Sequence, residues 1–376
     1  VSFSLIKQDS SFQLCGIMLD PKSKTFLLDY LNTPSPTGFE WRGQKKWADY
    51  TRQYSDRVEN DTYGTAWATL EGSSKRGRRV MLEAHADEIG YMVKYITKEG
   101  FIYLDRIGGS DVATARGRRL DILGDKGTVR GVVGNTAIHI RDKEDEKVPK
   151  VHELFVDIGT TTGKEVAEAG IRVGHAAVYA DGVELMGKDL LLGRALDNRV
   201  GGFIIAQVMK CLSERKKRTA ATAIAVNAVQ EEIGGHGAKM VTHRLMPDVA
   251  ICLDVTHATD TPGIDKAKHG EVKFAGGPTI THGTCNHPKV MERLMESAKK
   301  AKVKLQHESS SRYSGTDTDE IFRVQHGIPS GLISLPLRYM HSVVEMVSLK
   351  DVEQIVDVLA AFVESVTDGD VFTTRL

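Results

Sequence analysis

An excess of charge of one sign is missing from this chain: Lys plus Arg and Asp plus Glu both total 50, so the formal net charge is zero. No large positive field is available to hold a polyanion, which sets nucleic-acid binding aside. Long hydrophobic runs are missing too. The longest, such as "VEQIVDVLAAFV" near the C-terminus, carry charges and fall short of the roughly 20 apolar residues of a membrane span. The opening "VSFSLIKQDSSFQLCGIMLDPKSK" lacks a basic start, an apolar h-region and a small-residue cleavage site, so a cytoplasmic location is the default expectation. Cysteine is scarce, and Cys15, Cys211, Cys252 and Cys285 lie far apart without CxxC spacing. That argues against a disulfide framework and against a thiolate metal site, and reduced structural thiols are expected. No Walker-type or GxGxxG loop stands at a strand-to-helix turn, and no GxSxG elbow is present, which disfavours nucleotide binding and serine hydrolysis.

What is present reads as two domains, or one large domain with an insertion, in 376 residues. Residues 1–17, ahead of Met18, are expected to be an N-terminal extension or tail. From about residue 20, helices alternate with apolar strands, the pattern of an α/β layer fold. "SKTFLLDYLNTP" is helix-like, and "RRVMLEAHADEIGYMVKYI" reads as strand, loop, strand. Between 96 and 184 the texture changes to short strand-like pieces broken by Gly and Asp, such as "GFIYLDRIGG" and "LGDKGTVRGVVG". The α/β pattern then resumes. The simplest organisation is a discontinuous catalytic domain, 18–95 and 185–376, carrying a small all-β insert at 96–184. The charge run "RDKEDEKVPK" is expected to be a solvated loop of that insert.

In open α/β sheets ligands bind beyond the carboxyl ends of the strands, so the residues there are the informative ones. His85 and Asp87 follow "RVMLEA", Glu231 and Glu232 follow "AIAVNAVQ", and Asp254 ends "VAICL". Asp197 lies in the loop "LGRALDNR", and His341 follows "SGLISLPLRYM". Each alone has a bland explanation; Asp197, for instance, could cap the helix beginning at Asn198. Together they offer imidazole nitrogen and carboxylate oxygen, the donors zinc and related ions take. One zinc needs about three protein ligands, and this set exceeds that. It suits a pair of divalent ions bridged by a carboxylate and a water. Asp87, two residues beyond His85, is placed to orient the imidazole. Neighbouring residues at a strand end point differently, so of Glu231 and Glu232 one can hold a metal while the other serves as general base.

His236, His243, His257, His269, His282 and His287 lack strand-end placement and are expected to be loop or surface residues. "SGTDTDEIF" places Asp317, Asp319 and Glu320 where a solvated turn or a helix cap is expected, with a role near the substrate as the secondary reading. Two other functions compete: a glycan hydrolase using Glu231 with a second carboxylate, which leaves both histidines idle, and a non-enzymatic peptide-binding scaffold, which needs no metal set.

The motifs "AHADEIGYMV", "GRALDNRVGG", "AVQEEIGGHGA", "ICLDV" and "GIPSGLISLPLRYMHSVVEMV" together resemble the tetrahedral (TET) aminopeptidases, the di-metal peptidases of family M42. The resemblance runs over residues 20 to 367. It implies a mixed-sheet α/β/α zinc-peptidase domain of the phosphorylase/hydrolase-like kind, with a PDZ-like dimerisation insert. It further implies His85, Asp197 and Asp254 around one ion, and Asp197, Glu232 and His341 around the other. Glu231 takes the place of the general base and Asp87 that of the residue behind His85. Zinc is the expected metal, with cobalt or manganese as substitutes. Peptides are the expected substrates, and dimers assembling into a dodecamer the expected self-association. Two departures stand out: the N-terminal extension, and Thr318 and Asp319 after Gly-Thr-Asp.

Overall fold

The computed structural model describes residues 14–15, 20–142, 147–374 and 376. The expected extension at 1–17 lies outside these residues except for Leu14 and Cys15. Helix α1 (Pro21–Asn32) starts where the Asp20 carboxylate accepts the backbone N–H groups of Lys22 and Ser23, with Pro21 in the first turn. Helix α2 (Trp41–Thr51) and strands β1 (Arg57–Asn60), β2 (Ala66–Leu70) and β3 (Arg79–His85) follow. The chain then builds a separate closed barrel from β4 (Gly90–Ile96), β5 (Ile102–Ile107), β6 (Arg119–Gly124), β7 (Gly127–Val133), β8 (Phe155–Asp157) and β9 (Ala176–Tyr179). The short α3 (Gly163–Glu168) precedes β9. Tyr91, Ile102, Leu104, Leu120, Ile122 and Val156 give this barrel its own core. Its strands thus run from Gly90 to Tyr179, with β4 pairing into the barrel rather than the main sheet.

Strands β10 (Glu184–Met186) and β11 (Leu190–Gly193) lead into α4 (Leu196–Ser213) and the buried β12 (Thr222–Ala228). After α5 (His236–Leu245), β13 (Val249–His257), α6 (Lys266–His269) and β14 (Thr279–Gly283) come α7 (Pro288–Lys300) and β15 (Gln306–Ser310). The chain closes with α8 (Thr318–Ile321), β16 (Ser330–Leu337), β17 (Glu345–Ser348) and α9 (Leu349–Ser365). The main sheet is ordered β1-β2-β12-β3-β13-β16-β14-β15. Its centre, β12-β3-β13-β16, is parallel, so these strands deliver their carboxyl ends to one edge.

Alternation along the central strands buries both faces, as parallel sheets require. Ala223, Ala225, Ile251 and Leu253 pack with Phe203, Leu294 and Leu359 on one face, while Ile224, Val226, Ala250 and Cys252 pack with Val241 and Ile321 on the other. Each large aliphatic side chain buried this way contributes about 1.5–3 kcal/mol. Helix α4 lies close to the sheet because Gly202 has no side chain: a Cβ there would meet Asn227 Oδ1 at 2.6 Å and Tyr30 Oη at 2.7 Å. The fully buried Arg199 ties α4 to the end of α1, donating to the carbonyls of Thr33 at 2.6 Å and Leu31 at 3.3 Å and stacking over Tyr30.

Cys15 and Cys211 form a disulfide, whereas Cys252 and Cys285 are free and buried. The expectation of four reduced thiols fails for this pair, because 196 residues of sequence separate two cysteines that only folding brings together. Cytoplasmic proteins ordinarily keep such thiols reduced, so the bond counts against a cytoplasmic location. No described helix is long and apolar enough to cross a membrane.

Candidate metal centre

The sheet's carboxyl edge gathers the residues that the sequence placed at strand ends. His85 closes β3, Glu231 and Glu232 follow β12, Asp254 lies within β13, Asp197 stands at the start of α4, and His341 lies between β16 and β17. His85 Nε2 is 3.3 Å from Asp197 Oδ1 and 3.8 Å from both Asp254 Oδ1 and Glu231 Oε2. His341 Nε2 is 3.2 Å from Asp197 Oδ2 and 3.6 Å from Glu232 Oε2. One oxygen of Asp197 therefore faces each histidine. His85, Asp197 and Glu232 each offer a donor atom within 4.8 Å of the others.

The backbone here is held in conformations most residues avoid. Ala195, Gln230, Tyr339 and His341 all have positive φ, and each lies at or within two residues of a member of the cluster. Such conformers persist where the surrounding fold holds them, commonly at functional sites. Asp197 does not act as the helix cap that its position allowed: its carboxylate accepts no backbone N–H of α4 and turns instead to His85 and His341.

Asp87 is the organiser of the cluster. Fully buried, it lies behind His85, whose Nδ1 is 3.1 Å from the Asp87 carbonyl and 3.5 Å from its carboxylate. Its two carboxylate oxygens also accept the backbone N–H of Glu231 at 3.0 Å and of Glu232 at 3.2 Å, and Thr37 donates to it at 2.8 Å. One carboxylate thereby fixes the imidazole and the turn carrying both glutamates. Burial works against its charge, but His85, Thr37 and the Glu231 N–H hold Asp87 below the usual carboxylate range.

The cluster is too negative for its own neutrality. Burial, reinforced by the charge of Asp197, pushes Glu232 well above the ordinary range. Burial raises Asp254 likewise. Glu231 is pushed up to about 8, by burial first and then by Asp317, Asp87 and Asp197 beyond what His85 offsets. For His85, burial opposes the charged ring, yet Asp197 and Asp87 prevail and raise it well above its ordinary value. Buried carboxylates that give up their charge to protons when no cation is near are a set that a bound cation would hold ionised. Glu232 Oε1 is buried without any hydrogen-bond partner, and the donors are the nitrogen and oxygen atoms that zinc-like ions prefer. The residues fit a divalent metal centre.

Beside them opens a cavity of about 620 Å³, also lined by His257, Asp319, Glu320, Arg323 and Tyr313. The profile of the M42 glutamyl aminopeptidases matches residues 64–358. The chain belongs to this family. M42 membership makes it a peptide hydrolase. A putative aminopeptidase of Acetivibrio thermocellus is 37% identical over 81% of this chain and 87% of its own length. The lysyl aminopeptidase of Pyrococcus furiosus is 30% identical over 90% of this chain and 96% of its own. Among solved structures, the TET aminopeptidase of Thaumarchaeota archaeon SCGC AB-539-E09 superposes with TM-score 0.87 at 28% identity, covering 92% of this chain and 97% of that one. PhTET1, solved as a dodecamer, gives TM-score 0.79 at 25% identity, covering 91% and 99%.

Several residues around this candidate centre escaped sequence reasoning. Glu345, buried, accepts the backbone N–H groups of Leu196 at 2.8 Å, Asp197 at 3.1 Å and His341 at 2.8 Å, so it anchors two of the clustered side chains. Its signal was a lone charge in the apolar "HSVVEMV". Gly108 and Gly109, on the loop after β5, bring the barrel to the centre: the Gly109 carbonyl lies 3.2 Å from His341 Nδ1. His257 lines the cavity although it was set among loop or surface histidines. The "SGTDTDEIF" loop needs correction too. Asp317 is buried rather than solvated and makes no cap bond, and its carboxylate oxygens, like those of the buried Glu83, have no hydrogen-bond partner. Asp319 and Glu320 line the cavity, the former accepting the Ser314 N–H at 3.1 Å and the Gly315 N–H at 2.9 Å.

Proposed function

We propose that the protein is a co-catalytic two-metal aminopeptidase, which removes the N-terminal residue from peptides. His85, Asp197 and Asp254 would hold one divalent ion, and Asp197, Glu232 and His341 the other. The observation that carries this reading is Asp197, which turns one oxygen to each histidine, as a bridging carboxylate must. Bound ions, zinc first with cobalt or manganese as alternatives, would polarise the scissile carbonyl and acidify the attacking water. Glu231 borders the cavity next to these residues, is the glutamate left outside the two ligand sets, and takes the water's proton and returns it to the leaving amine. Asp87 keeps His85 turned to the centre and fixes the turn from which Glu231 reaches it.

The barrel is read as the PDZ-like dimerisation insert, and dimers as the units of a dodecamer; the dodecameric PhTET1 structure supports that assembly.

Glu231→Gln tests the assignment. Metal content should stay near two ions per chain while peptide hydrolysis falls by about 100- to 10,000-fold, the usual contribution of a positioned base. Retained turnover sinks the role of Glu231. Chelator-insensitive cleavage of glucans, with no release of amino acids from peptides, sinks the aminopeptidase reading itself.

A further inference from the structure

A second cavity, of about 360 Å³, adjoins that of the metal centre and shares Val255, Thr256, Tyr313, Ser314 and Thr316 with it. Its floor is the main sheet. Asp254 is in register with Ser334, Ser334 with Thr279, and Thr281 with Glu308, so alternation sends all these side chains to one face. The face that bears a residue of the metal centre therefore continues into this cavity and reaches Glu308 on the edge strand.

Glu308 is held in place. One carboxylate oxygen accepts from Thr256 Oγ1 at 2.8 Å and the other from Thr281 Oγ1 at 2.6 Å. Among the described residues no Lys, Arg or His pairs with it, so two hydroxyls set its direction while no cation answers its charge. Ser334, fully buried, lines the same cavity with a hydroxyl that has no hydrogen-bond partner. The rest of the lining is mostly polar, with Ser309, Ser310 and Ser311 beside Glu308. A half-buried carboxylate in such a place is costly to desolvate for an aliphatic guest and repels an acidic one, while a cationic guest pairs with it.

Building on the aminopeptidase reading, we propose that this cavity receives the side chain of the substrate's N-terminal residue and that Glu308 selects lysine or arginine there. That side chain leaves the α-carbon next to the scissile carbonyl, so it must occupy space adjoining the centre, and this cavity adjoins it. Arg312 also borders the cavity, but it is exposed, whereas Glu308 is fixed against the floor.

The metal-loaded full chain is assayed with Lys-, Arg-, Leu- and Glu-p-nitroanilides and with a mixed peptide pool whose released amino acids are identified. The expected result is kcat/KM for Lys and Arg above Leu by about tenfold, with Glu lowest. Glu308→Gln should lower the Lys-to-Leu ratio about tenfold, and Glu308→Lys should turn the preference toward Glu. Melting curves show whether each variant is folded, and the ratio within each variant cancels losses of active enzyme. Equal turnover of Leu and Lys in the wild type, or a Lys-to-Leu ratio unmoved by Glu308→Gln, overturns the assignment of the cavity but not the aminopeptidase reading. A wild-type preference for Glu overturns it in favour of Arg312. Release of other N-terminal residues without Lys or Arg also overturns it, whereas no released amino acid from any peptide removes the underlying reading as well.

Discussion

Replacing Gly109 by alanine tests whether the barrel loop takes part in the metal centre. A Cβ at this position would lie 2.5 Å from His341 Nδ1 and 2.6 Å from its Cε1. Ordinary contact begins at 3.4 Å, so the ring has to retreat by about 0.9 Å. It has no slack on the other side, where Nε2 is already 3.2 Å from Asp197 Oδ2 and 3.6 Å from Glu232 Oε2. The ring must therefore swing out of line and give up its contact with the Gly109 carbonyl. Gly109 is outside the positive-φ glycines, so alanine adds no backbone strain, and the His341 side chain is about one-third exposed. The folding cost is expected to stay below about 1 kcal/mol. Function should suffer far more, because a displacement of about 1 Å at a reacting centre costs on the order of a hundredfold in rate. The assay combines kcat/KM on an aminoacyl substrate, metal content after dialysis against a weak chelator, and a melting curve. Turnover within threefold of wild type at full metal content would refute the argument. So would a variant that unfolds easily yet, while folded, turns over normally.

Two further perturbations probe features away from the centre. Asp351, fully buried in the first turn of α9, accepts the Gly277 N–H with one oxygen and leaves the other unpartnered; burial pushes it up to about 6 despite that bond and Lys350. Because the folded value exceeds the unfolded one, its stabilising effect is complete at low pH and is lost as pH rises between about 4 and 6. Asp351→Asn should therefore gain about 2 kcal/mol over the wild type at pH 7.5 and almost nothing at pH 4. Melting curves of both proteins in chelator read the difference, and a gap that does not grow with pH defeats the explanation. Separately, thiol titration of denatured, unreduced protein should find two reactive cysteines, rising to four after reduction, and four from the outset would remove the Cys15–Cys211 bond.

The candidate centre was legible because its residues sit where a strand pattern ends. Continuous apolar runs located β3, β12 and β13, and the carboxyl-edge rule then singled out His85, Asp87, Glu231, Glu232 and Asp254 without knowledge of their distances. Asp197 and His341 were legible only in company, since each alone passes for a loop residue. Glu345 and Gly109 were not, for a common reason. Their roles consist of backbone contacts: a carboxylate accepting three N–H groups, and a missing Cβ that makes room for a ring. Such contacts leave no periodicity and no spacing. Asp317 was misread because a Gly-Thr-Asp turn looks solvated until another layer covers it.

By itself the sequence determined the α/β alternation, its interruption by a stretch of short strands, and the chemical types gathered at one edge. Those follow from local preference and from the period of apolar residues, which the chain carries along its length. Tertiary structure decided the rest. It set one oxygen of Asp197 against each histidine, closed the insert into a barrel that reaches back to His341, and joined Cys15 to Cys211. It also turned Glu308, on an edge strand remote in sequence from Asp254, onto the same sheet face. These are pairings across tens to hundreds of residues, and they arise from strand order and register rather than from any local pattern.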